Sequence, residues 1–147
     1  MNDELLPKTQ KLKYMDNIEL QKAIAEFNQQ KFYDCHDTLE AIWMESVEPD
    51  KTFYQGILQV AVGCYHLTNI NWKGAVILLG EGIRKLREYE PEYLDINVDK
   101  LVEESYDLLL ALQQIDPDSV SIFCQKLLSQ ELQNNLSFPI IKTITYT

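Results

Sequence analysis

The side chains in this 147-residue chain whose types and spacing could do chemistry are two histidines, a glutamate and two glutamines. His36 and Glu40 stand four residues apart, close to one turn of an α-helix, so an imidazole and a carboxylate share a face. Gln55, Gln59 and His66 fall within about 40° of one another at about 100° per residue, a second polar line on an otherwise apolar helix. Groups of these kinds brought together could hydrogen-bond one another as a network that sets helix register, or could orient a small polar or anionic guest with Trp43 and Tyr54 as walls. Through His36, Glu40 and His66 they could also hold a metal ion with a position open to water, the pattern of a metal-assisted hydrolase. Against the metal stand the lack of an H-E-x-x-H or E-x-x-H pair and the weakness of glutamine as a zinc ligand.

Helices must position these residues. Residues 1–15 are polar, contain Pro7 and show no period, so they read as a loose lead-in. Asp16 with Glu19 forms a capping box that opens a first helix, with Ile18, Ile24 and Phe27 as its apolar stripe. A second stripe runs through Phe32, Cys35, Leu39, Ile42 and Trp43. Asp50 caps a third segment, residues 53–67, apolar nearly all round and therefore central. Gly56 and Gly63 lie in line on it, which predicts close approach by the helix that also faces the glutamines.

Asn71 caps a fourth helix that Pro91 stops, Asn97 opens a fifth through Val98, Leu101, Val102, Tyr106, Leu109 and Leu112, and Asp116-Pro117 opens a sixth through Val120, Phe123, Leu127 and Leu128. The fold expected is all-α: a single-domain bundle of about six helices in antiparallel hairpins over residues 16–134, with helices two and three in the middle. Residues 135–147, rich in β-branched side chains, form an extended tail, and its Phe138-Pro139-Ile140-Ile141 run offers a homodimer contact. Phe32, Cys35 and Leu39 also echo Trp72, Ala75 and Leu79 at a spacing of forty, the mark of a helix-hairpin repeat, though a third unit is missing.

The net charge is −10, from 23 acids and 13 bases. Without a basic stripe, nucleic acid and anionic membrane surfaces are not expected partners. No apolar stretch could span a bilayer and no secretory pattern opens the chain, so a cytoplasmic location is expected. Cys35, Cys64 and Cys124 each sit in an apolar helical pattern and read as buried thiols in a reducing compartment. The basic residues Arg84, Lys85 and Arg87 suit a helix C-terminus, and Glu103 and Glu104 read as a solvated face.

The combination Phe27-Asn28, Tyr33, His36, Leu39-Glu40 and Trp43, followed by Phe53-Tyr54-Gln55-Gly56, Gln59, Ala61, His66 and Gly74-Ala75, resembles domain-of-unknown-function family 309, small all-helical bacterial and plastid proteins. The resemblance spans about residues 20–90, with Asp37 standing where many relatives carry glutamate. It implies the helical fold and the importance of Glu40, Gln55, Gln59 and His66, and no activity. Nucleophile-elbow, P-loop and dinucleotide glycine motifs are absent from the sequence. The functional expectation is a non-enzymatic module for a small ligand or a protein, without cofactor or metal, centred on His36, Glu40, Gln55, Gln59 and His66. A metal-assisted hydrolase using His36, Glu40 and His66 is the alternative.

Overall fold

Apolar residues recurring every three or four positions draw six helices together in the computed structural model, which describes residues 8–144 and the side chains of 17–144. The helices are α1 (Lys8–Asn28), α2 (Phe32–Glu45), α3 (Asp50–Thr68), α4 (Trp72–Leu86), α5 (Val98–Gln114) and α6 (Val120–Leu128). Successive helices from α1 to α5 pack as neighbours, the arrangement expected of an all-α chain with short connections. No helix among the described residues is long and apolar enough to cross a membrane.

Among the described residues the first helix already runs from Lys8, and Asp16 lies inside it rather than at its start. Residues 8–15 hold no glycine or proline and several good helix formers, so the helix propagates back through them. Of the lead-in expected over residues 1–15, residues 1–7 lie outside the described residues, as do the last three residues of the tail. Leu20, Ala23, Ile24 and Phe27 make the buried face of α1, while Ile18 turns to solvent. Tyr106 and Leu128, expected in the core, are likewise exposed.

α3 is central, and its most extensive partner is α4 rather than α2. Glycine explains why. A Cβ on Gly82 would lie 2.8 Å from the Gly56 carbonyl oxygen, and one on Gly63 would lie 2.9 Å from the Leu79 amide nitrogen, so the two backbones approach closely where one helix presents a glycine. The forty-residue echo follows from the same geometry: α2 and α4 flank α3, and each presents a similar apolar stripe to it.

Asn71 caps α4 by accepting from the Gly74 N–H at 3.0 Å, and Asn97 caps α5 by accepting from the Lys100 N–H at 3.0 Å. Asp116 accepts from the Asp118 N–H to open a 3₁₀ turn, Pro117–Ser119, that leads into α6. At α3 the cap is Glu48, whose carboxylate accepts from the Thr52 N–H at 2.7 Å. Asp50 instead accepts a hydrogen bond from the Tyr93 hydroxyl. Between α4 and α5 a small hairpin pairs β1 (Glu92–Tyr93) with β2 (Ile96–Asn97), turning on Leu94 and Asp95, both at positive φ.

Most of the apolar tail run expected to be exposed is packed against the helices, with Ile140 alone turned to solvent. Phe138, Pro139 and Ile141 are buried, with the Phe138 ring 5.1 Å from Phe32. Its backbone is stitched to four places: Asn28 holds Ile141, Glu104 accepts from the Ile140 N–H at 2.9 Å, and the Lys142 carbonyl and Ile144 N–H bond Asn97 and Asp95. Glu104 is thus a tail anchor rather than part of a purely solvated face. The three cysteines are free and buried, and burial pushes the Cys35 thiol up to about 12, with Glu26 adding to the effect.

Candidate functional site

α2 presents His36 at the edge of its buried stripe, one turn beyond Phe32 and one before Glu40. Its ring is held between two carboxylates on its own helix: Nδ1 lies 3.2 Å from Asp37 Oδ1 and Nε2 lies 3.4 Å from Glu40 Oε2. The imidazole is 32% exposed and the Glu40 side chain 47%, so the pair faces solvent. Asp37, not among the site residues expected from the sequence, belongs to the group.

α3 carries the other three residues, and of these Gln59 and His66 face α4. Gln59 is 9% exposed, its Nε2 donates to Glu81 at 3.1 Å, and its Oε1 is buried with no hydrogen-bond partner. A buried carbonyl oxygen without a donor is uncommon and unfavourable. Gln55 lies half-buried one turn before it. His66 sits in the last turn of α3, its Nδ1 3.3 Å from Asn71 Nδ2. Its ring rests on Gly74, where an added Cβ would come within 2.8 Å of the imidazole. Asn71 therefore does two jobs, capping α4 and steadying His66.

No hydrogen bond among the described residues joins His36 or Glu40 to Gln55, Gln59 or His66. The expected single seam between α2 and α3 is three groups: His36 with Asp37 and Glu40, Gln59 with Glu81, and His66 with Asn71. What spans the distance is aromatic. The Tyr33 ring lies 6.1 Å from His36 and 5.5 Å from Tyr65, and Tyr65 lies 6.4 Å from His66, a continuous run of four rings from α2 to α3. Tyr33 is 56% exposed.

Of the two expected walls, Trp43 is half-buried with the Lys51 ammonium 4.7 Å from its ring centre. Tyr54 is buried beside Phe53 in the core and walls nothing at the surface. Trp72 is structural, donating its indole N–H to the Leu112 carbonyl at 2.8 Å. The metal trio also changes membership. Among the described residues, the groups close enough to share an ion are His36, Asp37 and Glu40, with ligand atoms within 4.8 Å of one another, and His66 is two tyrosine rings away.

Residues 20–78 match the family model described as Domain of unknown function (DUF309), a segment that contains every one of these site residues except Glu81. The resemblance read from the sequence is borne out over that segment. A 69-residue stretch is 32% identical to the uncharacterized protein YpuF of Bacillus subtilis, covering 46% of this chain and 40% of that protein. The match thus spans less than half the length of that relative. No solved structure matches the chain.

Proposed function

We propose that the DUF309 segment is a binding module rather than an enzyme, and that its binding face is the ring strip His36, Tyr33, Tyr65 and His66 with Asp37 and Glu40 at one end. The observation that carries this reading is the continuity of the strip at the surface. A closed structural network would pair every member and exclude water, whereas here the imidazole and carboxylates are open and the Gln59 carbonyl oxygen lacks a donor. Aromatic faces flanked by carboxylates favour a cationic guest, since ring quadrupole and acid attract the same charge. A guanidinium or quaternary ammonium group, free or on a peptide, fits that chemistry.

The test is a titration of ring-labelled protein with arginine methyl ester and with tetramethylammonium chloride, read by the NMR signals of the Tyr33, Tyr65, His36 and His66 rings. Saturable shifts that Glu40→Gln and Tyr33→Ala weaken by about tenfold support the reading. Rings that do not move, or that move equally in both variants, overturn it.

A second reading rests on the His36, Asp37 and Glu40 spacing. A divalent ion at His36 Nε2 would take Glu40 one turn away as its second ligand and, with few protein ligands, would keep positions open to water. Glu40→Gln would then remove near-stoichiometric metal from protein purified without chelator, and a screen of phosphate and amide esters would test the hydrolase. Metal that survives the substitution would exclude that site.

A further inference from the structure

α5, α6 and the turn-rich segment 131–137 enclose a groove of about 980 Å³, remote in sequence from the site above. Along α5 its lining recurs every three or four residues, through Lys100, Glu103, Asp107, Leu110 and Gln114. That is the spacing at which one helix offers a face to another. From Lys100 to Gln114 the face runs about 21 Å at 1.5 Å per residue, room for roughly four turns of a helix laid beside it.

The floor is apolar. Leu110 is 38% exposed, and Ile115, Leu132 and Leu136 are half-buried, packed on the core with one side still open. The rim is acidic: Glu103, Glu104, Asp107 and Glu131 stand against the two bases Lys100 and Lys126. Lys100 is already shared between Glu103 at 3.9 Å and Glu104 at 3.8 Å. Lys126 lies in the last turn of α6, where the helix dipole favours a cation. Asp107 and Glu131 are exposed and, among the described residues, belong to no ion pair.

We propose that this groove takes a basic amphipathic helix of a partner protein, apolar residues seated on Leu110, Ile115, Leu132 and Leu136 and lysine or arginine set against Asp107 and Glu131. The volume is at the upper end of the range of about 300–1,000 Å³ for small-molecule sites, and a lining that runs along about four turns of α5 suits a helix better than a compact ligand. Charge selects the partner. A second copy of a chain with net charge −10 would bring like charges together, whereas a basic helix meets its complement.

The experiment uses a fluorescein-labelled peptide of about 18 residues, leucine on one helical face and lysine on the other, with a leucine/glutamate peptide of the same pattern as control. Anisotropy at physiological salt should show binding of the lysine peptide alone. Leu110→Glu and the pair Asp107→Lys with Glu131→Lys should each weaken it by about tenfold or more. Glu19→Lys with Glu88→Lys, the same change in net charge outside the groove, should leave affinity within about twofold. Absence of binding, or equal loss from both charge reversals, overturns the proposal, the latter by reducing it to general attraction. A dimer that Leu110→Glu abolishes overturns it as well, by giving the groove to a second copy. The surface pair at Asp107 and Glu131 keeps the test decisive should Leu110→Glu disturb folding.

Discussion

Asn28 grips Ile141 by both polar groups of its backbone: Nδ2 donates to the Ile141 carbonyl at 2.9 Å and Oδ1 accepts from its N–H at 2.8 Å, across 113 positions of sequence. One amide side chain thus does for the tail what a neighbouring strand would do in a sheet. Asn28→Ala leaves both Ile141 groups without these partners in a partly buried place, and stability is expected to fall by about 1–3 kcal/mol. Asn28→Asp keeps the acceptor and loses the donor, so it should fall between. Urea unfolding reads the first effect and hydrogen exchange at the Ile141 amide the second. An Asn28→Ala protein with unchanged unfolding and unchanged exchange would remove the tail from the list of what holds the bundle.

Two glycines of α4 are expected to respond to the same substitution with opposite signs. A Cβ on Gly82 meets backbone, the Gly56 carbonyl oxygen at 2.8 Å and the Val60 nitrogen at 2.9 Å, so Gly82→Ala must push α3 and α4 apart. The expected loss is about 1–3 kcal/mol. A Cβ on Gly80 meets only a Leu109 methyl at 4.0 Å. There alanine brings its helix propensity without a clash, and a gain of about 0.5–1 kcal/mol should follow. Thermal unfolding of the two variants beside the parent decides, and a shared sign would refute the close-packing account.

Ile70 ends α3 at φ 60, a left-handed conformation that a β-branched side chain rarely adopts. The stop itself is ordinary: the Asn71 N–H bonds the His66 carbonyl at 2.9 Å, a 6→1 closure that usually places glycine where Ile70 stands. Since Ile70 is 45% exposed, glycine gives up little burial. Ile70→Gly should raise stability by about 1 kcal/mol, seen as a higher urea midpoint with an unchanged slope. A lower midpoint would mean that the isoleucine side chain packs more than its exposure suggests.

The same stop shows where reading a sequence meets its limit. Gln30, Ile70 and Gln130 all take positive φ after α1, α3 and α6, and none is the glycine or asparagine that would have announced it. The hairpin turn at Leu94-Asp95 lacks an Asn-Gly signal in the same way. Polar caps were legible at Asn71, Asn97 and Asp116 because each puts its side chain on a backbone N–H two or three residues on, a local arrangement. The site was half legible for a related reason. Counting along a helix places His36 beside Glu40, and Gln59 in line with His66, but it does not say how one helix is rotated against the next. That rotation is set by Gly56, Gly63 and Gly82, which draw α4 onto α3 and give Gln59 to Glu81.

Glu48 and Glu90 should pull the pH dependence of stability in opposite directions. Hydrogen bonds from the Thr52 hydroxyl and N–H hold the Glu48 carboxyl below its ordinary 4.5. The folded state therefore carries fewer protons there than the unfolded one, and this contribution is present above about pH 4.5 and lost as pH falls through the lowered value. Glu90 is raised, by desolvation first, and then by a hydrogen bond to Asp99 and the charge of that acid. Its contribution is complete below its ordinary value and lost as pH climbs through the raised one. Glu48→Gln should accordingly destabilise at neutral pH and converge on the parent in acid. Glu90→Gln should stabilise at neutral pH, and that advantage should fade in acid. Urea midpoints of the parent and both variants between about pH 3 and pH 7 give the comparison. Parallel curves for Glu90→Gln and the parent would show that the acid pair at the start of α5 shares no proton and carries no strain of charge.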